Sequence, residues 1–169
     1  MRPAQLSADD TPALDVIVHA LRWAVANLSP APEFAVLLEP TAPLRRRGQI
    51  DQAIELLRNS DADSVASVCQ LPHVFHPEEL LLEVDGELRP YRADRTMHTR
   101  RLRNNQEPVY VLNGIVYALR VQSVLASGTL FGAKTLPLVT PWEDYLDIDT
   151  AEDLALANLK LERSISHTY

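Results

Sequence analysis

FAVLLEPTAPLRRRGQIDQAIELLRNSDADSVASVCQL, residues 34–71, is the stretch whose reading decides the fold. It opens with an unbroken apolar run from Phe34 to Leu38, the pattern of a strand buried on both faces. The run stops at EPTAP, where Pro40 and Pro43 remove backbone donors and a loop begins. Ile50, Ala53, Ile54 and Leu57 then recur at helical spacing and form one apolar stripe. SDAD supplies turn residues, and Ser64 to Leu71 reads as a second strand. Alternating strands and helices are the rhythm of a parallel sheet with crossover helices.

Upstream, Leu14, Ile17, Val18, Leu21 and Val25 mark a further helix, with Thr11 placed to cap it and Pro12 at its first position. Downstream the rhythm breaks. LLLEVDGELRPY predicts a hairpin around Asp85 and Gly86, and VYVLNGIVYALRV resumes as strand with Asn113-Gly114 inside it. Residues 72–108 therefore read as an inserted arm of small antiparallel elements. A strand around Leu136 to Val139, a DYLDID strand and a last helix from about Ala151 to Arg163 complete the pattern. A chain of 169 residues suits one domain, 1–169.

Composition excludes several classes of function. A formal charge of -7 argues against binding nucleic acid, which calls for an excess of Lys and Arg. No apolar run approaches the roughly 20 residues that span a bilayer, and the N-terminus lacks a secretory pattern. The lone Cys69 has no partner for an internal disulfide and fits a cytoplasmic setting. Basic charge is nonetheless concentrated: Arg92, Arg95, Arg100, Arg101 and Arg103 fall in YRADRTMHTRRLR, either a solvated loop or an anion-binding arm. His73 and His76 lack a further ligand at zinc spacing, and the chain has no nucleophile elbow or phosphate-cradling glycine loop.

The chemistry centres on DYLDIDTAEDLALA, residues 144–157. In a strand, residues two apart share a face, so Asp147 and Asp149 project together. Oxygen ligands of this kind suit Mg²⁺. The other reading is an acidic preface to the last helix, with Thr150 and Asp153 at capping-box spacing. From spacing alone both readings stay open.

Taken in order, RPAQLSADD, VIVHAL, LLEPTAPLRRRGQIDQAIELL, DADSVASV, NGIVYAL and LDIDTAEDLALA resemble the acylneuraminate cytidylyltransferases, the CMP-sialic acid synthetases, over nearly the whole chain. The resemblance implies an α/β, Rossmann-like nucleotide-diphospho-sugar transferase fold, with a mostly parallel sheet and an inserted antiparallel dimerisation arm. It implies transfer of CMP from CTP to a nonulosonic acid with Mg²⁺, release of pyrophosphate, and a homodimer. It implies that Asp147 and Asp149 hold the metal and serve catalysis. Arg103 matches an arginine near the acidic sugar, Asn113, Tyr117 and Phe131 match the sugar pocket, and Arg2 matches an arginine close to the cytidine. Glu39 stands where the family has Gln, Ala42 replaces the following Ser, and Val111 stands where many members have arginine. The family's A-R-x-G-S-K segment, which carries the first strand and wraps the triphosphate, has no counterpart before Met1, which implies an N-terminally truncated member. The alternative is a catalytically inactive homologue acting as a sugar-binding or dimerisation partner.

Overall fold

Phe34–Leu37 forms β1, and its side chains divide by turns between two apolar clusters. Phe34 and Val36 join Ala53 and Leu57 of α2 (Gln49–Arg58), whereas Ala35 and Leu37 join Leu21 of α1 (Ala13–Asn27). Both faces of the strand are thus covered, as its continuous apolar run requires. The computed structural model describes residues 3–92, 94, 96 and 106–166, with side chains through Arg163.

The remaining elements are β2 (Ser64–Gln70), β3 (Leu81–Val84), β4 (Glu87–Pro90), β5 (Tyr110–Arg120), α3 (Val121–Ser127), β6 (Thr135–Thr140) and α4 (Ala151–Ser166). The main sheet has the order β1-β5-β2-β6. β1, β2 and β6 run the same way, so strand directions are mostly parallel, but β5 runs against them and is inserted between β1 and β2. The reason lies in the excursion between β2 and β5. Leu71 N–H donates to Val109 O at 2.9 Å and closes its neck, so the chain re-enters the sheet at the carboxyl end of β2 and must run back. Within the excursion, Asp85 (φ 55°) and Gly86 (φ 83°) turn the predicted hairpin, which forms a separate β3–β4 sheet.

α2 covers one face, and α1 with α3 covers the other. Pro12 is the residue before the first turn of α1, and no side chain caps that helix, so the expected Thr11 cap does not form. The sheet has two edges of unlike character. β6 is interrupted by Pro137 at its centre, whereas β1 is entirely apolar and is paired on one side only. Among the described residues no helix is long and apolar enough to cross a membrane.

Arg120, the last residue of β5, ties the sheet to the α2–β2 turn. Its guanidinium donates to Ala62 O at 3.2 Å, Leu57 O at 3.1 Å and Ser60 O at 3.2 Å. It also pairs with Glu33 at 3.1 Å and lies 5.1 Å from the Phe34 ring centroid.

Candidate active site

The site begins with an irregularity in β5. Ala66 pairs with Tyr117 and Val68 with Leu112, so residues 113–116 bulge out of the ladder opposite Ser67. Gly114 sits at the bend with φ +68°, which is why the Asn-Gly dipeptide interrupts a strand. Side chains satisfy the freed backbone groups one by one. Gly114 N–H donates to the Tyr117 hydroxyl at 3.2 Å, Ile115 N–H to Asn113 Oδ1 at 3.4 Å, and Val116 N–H to Ser67 Oγ at 2.9 Å. Arg45 Nε donates to Ile115 O at 2.5 Å. Every one of these partners is a side chain, so the bulge is a built feature.

Asn113 is buried, and its Nδ2 donates to Thr140 Oγ1 at 2.7 Å. With both ends of its amide engaged, Asn113 shapes the pocket by holding the bulge. Tyr117 is buried with its ring edge-on to Phe131, the centroids 5.4 Å apart. Glu39 lies two residues beyond β1. A β-carbon on Gly114 would come within 2.5 Å of Glu39 Oε2, so the absence of a side chain there makes room for the carboxylate. Burial holds the Glu39 carboxyl above its usual range, and the charge of Asp147 adds to this. The Tyr117 phenol is likewise pushed up, first by burial and then by Glu39, with a smaller contribution from Asp147. It therefore stays protonated at neutral pH.

Asp147 reaches this position without the expected strand: residues 145–149 form no ladder. They follow a 3-10 turn at Trp142–Asp144 and are anchored by Ile148 N–H donating to Thr41 O at 2.9 Å. Burial still alternates, with Leu146 buried, Ile148 half-buried, and Asp147 and Asp149 exposed. The period-two argument holds although no neighbouring strand is available. The cap is real as well. Asp153 Oδ2 accepts from Thr150 N–H at 2.9 Å and Asp149 N–H at 3.2 Å, and Thr150 Oγ1 accepts from Asp153 N–H at 3.2 Å. The capping box and the exposed carboxylates are parts of one arrangement: the box fixes the backbone of Asp149.

Hydrogen bonding from Thr150 holds the Asp153 carboxyl below its usual range. A depressed carboxyl contributes stability at neutral pH that is lost as pH falls through its folded value. Asp153→Ala should therefore lower the melting temperature at pH 7 and have little effect at about pH 2, where the carboxyl is protonated in both states. Circular dichroism melts across pH check this, and an equal loss at both pH values would contradict it.

Glu39, Asn113, Tyr117, Phe131 and Asp147 are thus tied into one neighbourhood by contact or charge. It lies where β1 and β6 end, the usual position of ligands in open α/β sheets. Arg2 and Arg103 lie outside the described residues. So do Arg95, Arg100 and Arg101, while Arg92 pairs with both carboxylate oxygens of Asp94 at 3.0 Å. The buried Cys69 thiol is pushed up by burial and serves packing. Sequence reasoning missed Arg45, Ser67 and Thr140, which support the bulge. The signal for their task was Asn-Gly inside an apolar strand.

No family model matches the chain. The chain is 27% identical over 159 residues to an N-acylneuraminate cytidylyltransferase of Streptococcus agalactiae serotype V, with 90% of this chain and 35% of the relative covered. It has homologues among the acylneuraminate cytidylyltransferases. Against a CMP-N,N'-diacetyllegionaminic acid synthase of Legionella pneumophila, identity is 24% with 96% of this chain and 68% of the relative covered. A solved structure of a 4-diphosphocytidyl-2C-methyl-D-erythritol synthase from Anaerococcus prevotii superposes with a TM-score of 0.57 at 15% identity, covering 90% of this chain and 68% of that one. The fold is therefore that of a Rossmann-like nucleotidyltransferase. The chain spans about a third of the length of the Streptococcus relatives it matches.

Proposed function

We propose that this chain carries the sugar-side half of a nucleotidyltransferase site, one that transfers CMP from CTP to a nonulosonic acid and releases pyrophosphate. The observation that carries the reading is the grouping of Glu39, Tyr117 and Asp147 beside the Gly114 bulge. These are the residues that the likeness to cytidylyltransferases puts at the sugar and the metal.

Among the described residues no three ligating side chains are close enough to hold a metal by themselves. Mg²⁺ commonly takes one or two carboxylates and completes its shell with water and substrate phosphate. The exposed Asp147 and Asp149 fit that donor set, and together they would hold Mg²⁺. When bound, the ion would offset the charge of the triphosphate. Tyr117 offers a hydroxyl donor to the sugar, with Phe131 as an apolar wall. The bulge orients both, and Arg2 and Arg103 are assigned to the nucleotide and the sugar carboxylate. Glu39 accepts hydrogen bonds but donates none when ionised, so it favours a sugar acid that presents hydroxyl or amine donors at that point. The excursion at 72–108 is assigned to homodimerisation, which suits the exposed Phe75, Leu81, Leu82, Leu88 and Tyr91 around its hairpin. The cytoplasm is the compartment this chemistry implies.

The test is pyrophosphate release from CTP, Mg²⁺ and a panel of nonulosonic acids. It is run with the chain alone and with the chain joined to the N-terminal segment of a curated relative. The joined protein should be active with at least one sugar, and Asp147→Asn should lower its rate about 10²-fold or more. No release by the joined protein with any sugar would overturn the reading. A second reading, binding without catalysis, is favoured by the carboxylate at Glu39. It predicts sugar binding by calorimetry in the absence of Mg²⁺-dependent CTP binding.

A further inference from the structure

A cavity of about 620 Å³ lies between the loop that follows β1 and the second half of α4, lined by a different set of side chains from the Glu39–Asp147 neighbourhood. Five of its lining residues are basic and two are acidic, an inversion of sign in a chain whose net charge is -7. Arg46 and Arg47 are exposed at its rim. Lys160 is braced by backbone oxygens alone, donating to Glu143 O at 2.8 Å and Tyr145 O at 3.5 Å, which leave its charge uncancelled.

Asp144 makes this more than a basic surface. Its side chain is only 8% exposed, and its Oδ1 accepts from Arg46 Nη2 at 2.6 Å. Its Oδ2 is buried and has no hydrogen-bond partner. A buried carboxylate oxygen without a donor is rare in folded proteins and marks a place where a donor belongs. The guanidinium and ammonium groups beside it call for an oxyanion. One ligand answers both demands if it carries negative oxygens and a hydroxyl group on the same small frame. The volume is in the ordinary range for such ligands, about 300–1,000 Å³.

We propose that this cavity is a binding site for a small phosphate ester whose phosphate meets Arg46, Arg47 and Lys160 and whose hydroxyl donates to Asp144 Oδ2. The assignment stands apart from the nucleotidyltransferase reading. It has a consequence for that site all the same: Asp144 and Tyr145, which Arg46 and Lys160 grip, begin the segment that delivers Asp147.

Calorimetry with ribose 5-phosphate, inorganic phosphate and ribose at matched ionic strength tests the proposal. Ribose 5-phosphate should bind about tenfold or more tightly than phosphate, and ribose should bind too weakly to measure. Arg47→Gln, on the open rim, should weaken ribose 5-phosphate about tenfold without moving the melting temperature. Asp144→Asn, which turns the acceptor into a donor, should bring the two phosphate affinities to within about twofold of each other. Asp144→Asn also weakens the Arg46 pair, so Arg47→Gln carries the test where that variant melts early. Equal affinity for phosphate and ribose 5-phosphate in the unaltered chain would overturn the proposal. So would an unchanged affinity in Arg47→Gln, or loss of binding in Asp147→Asn, which would move the ligand to the other site.

Discussion

In the Gly114→Ala variant, the Glu39 carboxyl is expected to titrate close to the ordinary glutamate range, having lost the environment that holds it up. The added β-carbon meets Glu39 Oε2 at 2.5 Å and Ala42 Cβ at 3.2 Å. Glu39 is the end of a flexible side chain and can swing away, whereas Ala42 is buried and can shift only slightly. The collision is therefore relieved by expelling the carboxylate from beside Asp147 and Tyr117. A left-handed alanine costs about 1–2 kcal/mol, which corresponds to a fall of about 2–8 °C in melting temperature for a domain of this size. Gly128 provides the control. It has nearly the same φ, +65°, and a β-carbon there would meet nothing within 4 Å, so Gly128→Ala bears the strain without the collision. Nuclear magnetic resonance titration of the Glu39 carboxyl separates the two. If it stays raised in Gly114→Ala, the close approach is not what shapes the pocket.

Arg120→Met is expected to be more destabilising than any other substitution named above. It removes three bonds to the carbonyls of Leu57, Ser60 and Ala62 together with the contact over Phe34. Hydrogen bonds from charged donors contribute about 1.5–3 kcal/mol each before allowance for exposure, and this side chain is 25% exposed. A loss of about 2–4 kcal/mol, on the order of 10 °C, follows. Arg120→Lys keeps the charge but replaces a planar fork by a point donor, and should recover less than half of the loss. Glu33→Ala should cost under about 1 kcal/mol, because Glu33 is 70% exposed. Denaturant unfolding of the three variants measures these differences. A Lys variant as stable as the unaltered chain would show that charge, and not the fork, holds the turn.

Much of the fold could be read locally because its elements declare themselves by composition. The apolar run at Phe34–Leu37, the helical stripe at Ile50–Leu57 and the Asp85-Gly86 turn each contain their own instruction. What lay beyond reading was pairing. NGIVYAL reads as a strand in any sheet, and its place between β1 and β2, antiparallel to both, follows from where the excursion closes at Leu71 and Val109. DYLDID reads as a strand because it alternates, and alternation is also what an extended segment shows when one residue in two is anchored.

The candidate site divides in the same way. Asp147, Glu39 and Tyr117 could be nominated because their residue types carry chemistry. Arg45, Ser67 and Thr140, which hold the bulge, are far from it in sequence and carry no local mark of their task. Arg46 and Asp144, 98 residues apart, were equally silent until the fold joined them.

The unlike edges of the sheet set a limit on how copies of this chain can add to one another. β1 offers an unbroken apolar strand, and β6 offers one broken by Pro137. Two copies joined strand to strand through β1 would turn only their β6 sides outward, and a proline there offers no N–H to a newcomer. Growth by strand addition is therefore self-terminating: it closes at a pair and does not run on into a fibre.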